Sequence, residues 1–323
     1  MTQPRATLPL LLLLPALALG QVAAMPDSSG DDWPALLENS ARPAMQGKLE
    51  ESEQQLRALL ARAPASQPAL QADILHRLQF VLRSRQQTAA ALVAANQALA
   101  LRQQAFGPNH LLVAESRQAY ARLLAQAGQP AAAETQLQAA LQVRENLAGK
   151  TSLPAADSRH ALGLFYQQQQ QPEKAANYLT QALAIRQALL PADHPDTLYT
   201  QARLGAALQQ QKQYERAIGL LQNALDGETR RGNADGLHAA IITRELAYCY
   251  HYLQDYPSAE ALYQQALTLL ALNLGNQHHA YAITQQALGW LYISSQRESQ
   301  GRALLENARQ LLQQADKPPT QRK

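Results

Sequence analysis

The chain has 323 residues, of which 46% are hydrophobic and 16% charged, with a formal net charge of +3. Ala, Leu and Gln dominate while aromatic residues reach only 5%, so the composition excludes a sheet-based fold and favours an all-α one. The near-neutral balance argues against a polyanion-coating protein, and one cysteine cannot form an intramolecular disulfide.

Residues 1–24 read as a cleavable export signal. Arg5 gives a short basic start and Leu8 to Leu19 an apolar run, followed by small-residue patterns that would cut before Gln21 or, preferably, before Met25. The run is about 12 residues, against the roughly 20 a membrane span needs, and Pro9 and Pro15 interrupt it. No cysteine near the site offers a lipid anchor. The expectation is a periplasmic or secreted bacterial protein without stable membrane insertion. Residues 25–32 read as a flexible polar leader.

A repeat of 42 residues organises the rest of the chain. Ala98, Ala140, Ala182, Ala224, Ala266 and Ala308 recur at that spacing, and seven positions before them stand Ala91, Ala133, Ala175, Ala217, Ala259 and Gly301. Nineteen positions before them stand Gln79, Ala121, Gly163, Gly205, Ala247 and Gly289. Apolar residues at intervals of three, four and seven predict two amphipathic helices per unit. Breaks within units fall at Gly128 to Pro130, Gln171-Pro172 and Gln254 to Pro257; breaks between units fall at Gly107-Pro108, Pro191 to Pro195, Gly232 to Gly236 and Gly275-Asn276. Each unit is therefore a helix–turn–helix hairpin whose small residues mark close helix approach. A hairpin cannot bury its apolar face alone, so hairpins should stack. A seventh, less regular unit precedes these six: Gly47 to Ser52 aligns with Gly128 to Ala133 when the step to the next unit is shortened to 39 residues.

At these columns the sequence resembles the tetratricopeptide repeat family, and more narrowly its kinesin-light-chain-like variant of 42-residue units. Residues 97–110 (QALALRQQAFGPNH) and 181–197 (QALAIRQALLPADHPDT) are similar to that variant's inter-repeat segment. The resemblance implies an all-α superhelical solenoid of about seven hairpins over residues 33–315. The aromatic usual early in the family's first helix is replaced by Arg117, Arg159 and Gln201.

Candidate chemistry dissolves into the register. His110, His194 and His278 share one column at the start of first helices, and His76 and His160 share another. Ligands two hairpins apart cannot converge on zinc at about 2.0–2.1 Å, so no metal or cofactor is expected. Cys249 shares its column with Val81, Leu123, Phe165, Ala207 and Leu291, which predicts a packing residue rather than a nucleophile. The acidic column Asp73, Glu115 and Asp157 and the late second-helix column Arg102, Arg144 and Arg186 are expected to offset helix dipoles. The glutamine runs at 167–171 and 209–211 should be solvated turns. With no phosphate loop, nucleophile elbow or zinc spacing present, a non-enzyme is expected.

The resemblance implies a concave groove lined by first-helix residues three before, one after and four after the small column. On this sequence the candidate peptide-binding positions are His76, Phe80, Arg83, Arg122, His160, Arg244, Tyr248, His251, Trp290 and Ile293. Arg and aromatic side chains are enriched at binding hot spots. The expected function is an exported, non-catalytic scaffold that binds a protein or peptide segment and no nucleic acid. A rival expectation is a self-associating component of a bacterial cell envelope. It rests on the last helix: prolines at 318 and 319 stop it, 316–323 read as a basic disordered tail, and Leu304, Leu305, Leu311 and Leu312 would then partly meet solvent and support a weak homodimer.

Overall fold

The computed structural model describes residues 32–315; the expected export signal, leader residues 25–31 and the basic tail lie outside them. Among the described residues there are fourteen α-helices and no strand. The described residues divide into two compact units, unit 1 up to Phe165 and unit 2 from Tyr166. Unit 1 contains α1 (Trp33–Met45), α2 (Leu49–Arg62), α3 (Pro68–Ser84), α4 (Thr88–Phe106), α5 (Leu111–Gln126), α6 (Pro130–Ala148) and most of α7 (Leu153–Gln168). Unit 2 contains the end of α7, then α8 (Pro172–Leu189), α9 (Pro195–Gln210), α10 (Tyr214–Arg230), α11 (Leu237–Tyr252), α12 (Tyr256–Leu274), α13 (His279–Ser294) and α14 (Glu298–Ala315). Odd-numbered helices are the first and even-numbered ones the second helices of seven successive repeats. None is long and apolar enough to cross a membrane.

The sequence breaks fall where helices end. Pro130 and Pro172 open α6 and α8, positions where the missing N–H costs nothing and the fixed φ already suits a helix. The turn inside each of the last six repeats carries one left-handed residue, and it recurs in a single 42-residue column: Gln86, Gly128, Gln170, Lys212, Gln254 and Gln296, with φ between 55° and 76°. Only one of these is glycine. The glutamine turns are therefore held in a conformation that disfavours a Cβ, and tertiary packing of the flanking helices must hold them there.

The repeated alanines lie where hairpins close. Ala98, Ala140, Ala182, Ala224, Ala266 and Ala308 are all buried, as are Ala91, Ala133, Ala175, Ala217 and Ala259. A Cβ on Gly301 would stand 2.7 Å from the Gly289 carbonyl oxygen, so α13 and α14 touch backbone to backbone. Larger side chains fill the spaces between these contacts: Leu56, Leu70, Ile74 and Leu82 in unit 1, and Leu179, Leu221, Leu246 and Tyr263 in unit 2. Burying each such Leu contributes about 1.5–3 kcal/mol.

The C-terminal stripe is partly covered. Leu311 is buried and Leu304, Leu305 and Leu312 are only partly exposed. Leu305 covers Gly289 and Ile293 covers Gly301, so the absence of side chains at those glycines lets α14 settle onto α13 and shield its own leucines.

Candidate functional site

The second-helix arginines do more than meet a helix dipole. Arg102, Arg144 and Arg186 are all buried, and each ties its own hairpin to the first helix of the next. Arg102 Nη1 donates to the Leu112 carbonyl (3.0 Å) and to Ser116 Oγ (3.1 Å), while Nη2 donates to Asp73 Oδ1 (2.9 Å). Arg144 Nη1 donates to Ser158 Oγ (2.9 Å) and Gln118 Oε1 (2.7 Å). Arg186 Nη1 donates to the Asp196 carbonyl at 2.9 Å and to Thr200 Oγ1. The expectation for the acidic column also changes, because Asp73 and Glu115 are partners of Arg102. Burial alone would raise the Glu115 carboxyl, but the hydrogen bond and charge of His76, then Arg102 and Arg144, bring it down to about 2. The signal for this bracing was in the sequence: Ser116, Ser158 and Thr200 each follow an arginine of that column by fourteen residues.

Histidines at the first-helix starts act as caps. Nδ1 of His110, His194 and His278 accepts from the backbone N–H of Leu112, Asp196 and Ala280 at 3.1–3.2 Å, satisfying a helix-terminal donor as an Asp or Ser side chain would. Cys249 is fully buried, and burial pushes its thiol up to about 12; a thiol that stays protonated is a packing group. Among the described residues no group of three or more His, Cys, Asp or Glu side chains could hold a metal. The glutamine runs are not simply solvated: Gln167 Nε2 donates to the Arg203 carbonyl, and buried Gln209 Nε2 to the Glu245 carbonyl.

The lining positions of unit 1 form a basic face. Arg83 lies over the Phe80 ring, 4.9 Å from its centroid. Burial, then the charge of Arg122 on α5, lowers the Arg83 pKa to about 10. His76 Nε2 sits 3.1 Å from Glu115 Oε1. His160 is only 7% exposed, which withdraws its ring from the face on which it was expected.

The lining of unit 2 is aromatic. Trp290 on α13 is 53% exposed. On α11, Tyr248 and Tyr252 lie 4.5 Å apart, Tyr252 stacks on Tyr214 of α10 at 5.3 Å, and His251 meets Tyr252 at 5.5 Å and Tyr256 at 6.1 Å. Burial and a hydrogen bond to Tyr252 raise the Tyr248 hydroxyl, keeping it a neutral donor. Arg244 is paired with Glu245 at 2.6 Å, so this face has little net charge. Ile293 is half-buried over Gly301 and contributes less surface than expected. Tyr252 was missed by column reasoning because it falls outside the three lining positions. Its spacing of four from Tyr248 would have placed both on one helix face.

The tetratricopeptide repeat profile matches residues 70–146, 154–228 and 238–315. The chain belongs to the tetratricopeptide repeat family. Members are in general protein-binding scaffolds, and the stacked hairpins here supply such a framework. Solved structures agree in fold at low identity. Nearly identical TPR-like repeats of a Podosopora anserina kinesin light chain protein share 23% identity over 65% of this chain and 99% of that one, with a TM-score of 0.54. BtubC (BKLC) from P. vanneervenii shares 18% over 72% of this chain and 94% of its own, at 0.60. The apo form of RapI shares 14% over 88% and 99%, at 0.67. No curated protein sequence matches the chain.

Proposed function

We propose that the protein is exported to the periplasm or beyond the cell, and that it binds a protein or peptide segment on its first-helix faces without chemistry of its own. The observation that carries this reading is Trp290. A tryptophan left 53% exposed at a lining position, in the unit that also exposes Tyr252 beside Tyr248, presents aromatic surface of the kind that dominates interface energetics. Rigid helices hold these side chains in place before binding, which lowers the ordering cost of recognition.

The test is affinity capture from bacterial periplasmic extract. The Trp290→Ala/Tyr248→Ala double variant should lose the proteins held by wild type, whereas Leu272→Ala, which removes an exposed side chain from second helix α12, should keep them. Equal capture by all three proteins would refute the reading. Export is tested by N-terminal sequencing of the fractionated protein, with Met25 expected and Gln21 the second choice; an intact Met1 in the cytoplasmic fraction would remove it.

A further inference from the structure

We infer that the segment held on the first-helix face of unit 2 is an uncharged, proline-rich one in the polyproline II conformation, with prolines three residues apart on Tyr248 and Trp290. The inference rests on the proposed groove function and names the chemical class of its ligand.

Tyr248 and Trp290 stand at equivalent positions of α11 and α13, each one residue after the small column at Ala247 and Gly289. The two helices meet directly, since His251 Nε2 lies 3.2 Å from Ser294 Oγ. Equivalent positions on helices in contact are about 8–10 Å apart. A polyproline II segment advances about 9 Å in one three-residue turn and then presents the same face again. A segment of that shape crossing both helices sets one residue on Tyr248 and the third residue after it on Trp290. An extended strand does not, because its residues three apart point to opposite faces.

The chemistry of the face selects among segments of that shape. Trp290 and Tyr252 are both exposed. Tyr248 lies 4.5 Å from Tyr252 with the rings tilted by 35°, and Tyr214 backs Tyr252 at 5.3 Å, so the rings are held before a ligand arrives. The pyrrolidine ring of proline is apolar and already rigid, and it loses little entropy when it docks on them. Arg244 is closed off by Glu245 at 2.6 Å, and burial lowers the His251 pKa and keeps that ring neutral. The lining positions of α11 and α13 therefore offer no unpaired charge to a charged segment. The indole N–H of Trp290 can only donate. Polyproline II carbonyls make no internal hydrogen bonds, and proline brings no N–H of its own. A helical segment would spend its carbonyls internally and leave that donor unmet.

The test uses the full chain with its two tryptophan indoles followed by NMR. Trp33, buried in unit 1, is the internal control. Three capped peptides serve as probes. Ac-Ala-Pro-Ala-Ala-Pro-Ala-Ala-Pro-Ala-NH2 carries prolines three apart, and Ac-Ala-Ala-Pro-Ala-Pro-Ala-Pro-Ala-Ala-NH2 carries the same residues with prolines two apart. Ac-Ala-Leu-Ala-Ala-Leu-Ala-Ala-Leu-Ala-NH2 puts leucine in place of proline. The first peptide should shift the Trp290 signal saturably and leave Trp33 unmoved, and the other two should bind about tenfold more weakly. Tyr248→Leu, which keeps apolar bulk and removes the ring, should weaken the first peptide by a similar factor. Equal affinity for either of the other peptides, equal shifts at Trp33, undiminished binding by Tyr248→Leu, or no response at Trp290 would each overturn the inference. If the proline peptide fails while the Trp290→Ala/Tyr248→Ala variant still loses the proteins captured from extract, the ligand class falls and the groove reading stands.

Discussion

At one position of the first helix, unit 1 carries Asp73, Glu115 and Asp157, and unit 2 carries Tyr199, Ile241 and Ile283. The second helices change with it. The column of Arg102, Arg144 and Arg186 continues as Glu228 and then Leu270. Glu228 is bound by His238 and Asn233 at 2.7 Å each, and Leu270 packs with Leu269 and Ala240 in an apolar cluster. One backbone register therefore supports two kinds of joint between hairpins, ionic and hydrogen-bonded early in the chain and apolar late. The lining faces follow suit. In unit 1 acids are drawn down to brace buried arginines, and Arg83 stacks on the Phe80 ring. In unit 2 that column carries no acid, and Tyr252, Ile283 and Trp290 are exposed.

The sharpest way to break this comparison is to cut one joint of each kind. Leu270→Ala should cost about 2–5 kcal/mol through an unfilled cavity, independent of salt. Arg102→Leu should cost about 3 kcal/mol, at the low end for a broken buried pair because Glu115 keeps contact with water. Urea melts with hydrogen exchange would locate each loss: Arg102→Leu should loosen α3 to α5, and Leu270→Ala α11 to α13, since repeats couple to their neighbours. Uniform loosening across both units would contradict the two-joint picture.

The small-residue columns come next. Ala182→Leu should destabilise by about 1–3 kcal/mol through overpacking, and Gln169→Leu in a turn should change little; equal melts would mean the register is misplaced.

That register was legible because identical spacing is imposed by stacking, and every predicted break falls at a helix end. The joints were half legible. Arginine, acid and serine columns could each be read, but a column shows only that a position repeats, not which other column it meets in space. His160 and Ile293 show the same limit: their columns placed them on the lining, while local packing buried one and laid the other over Gly301. The glutamine turns were legible as turns, yet nothing in a column of glutamines signals a left-handed φ.

Acid should separate the units further. The Glu115 carboxyl lies at about 2 in the folded chain against an ordinary 4.5. Its contribution is therefore full above pH 4.5 and is lost as pH falls toward 2. In unit 2, burial lowers the pKa of His251, and burial with His279 lowers that of His278. Those contributions are full above pH 6.5 and decline as pH falls below it, because the proton binds the unfolded chain more readily; for His278 it also turns the capping acceptor into a donor. Exchange-protection profiles at pH 7.5, 5.5 and 3.5 should show unit 2 weakening first. Glu115→Gln should flatten the acid limb of unit 1, and a limb of unchanged steepness would remove Glu115 from the explanation.

The smallest expected effect lies in the turns. Gln170→Gly or Gln254→Gly relieves a left-handed residue at the expense of unfolded-chain entropy, for a net gain of about 0.5–1 kcal/mol, read as a rise in melting temperature. A fall would show that the glutamine side chain itself supports the turn.

The central proposal is that the aromatic first-helix face of unit 2 binds a protein segment. Its most direct measurement is selection of a displayed random peptide library against wild type and the Trp290→Ala/Tyr248→Ala variant. Wild type should enrich segments that carry aromatic or aliphatic residues, and the variant should lose that preference. Two selected pools of indistinguishable composition would contradict the proposal.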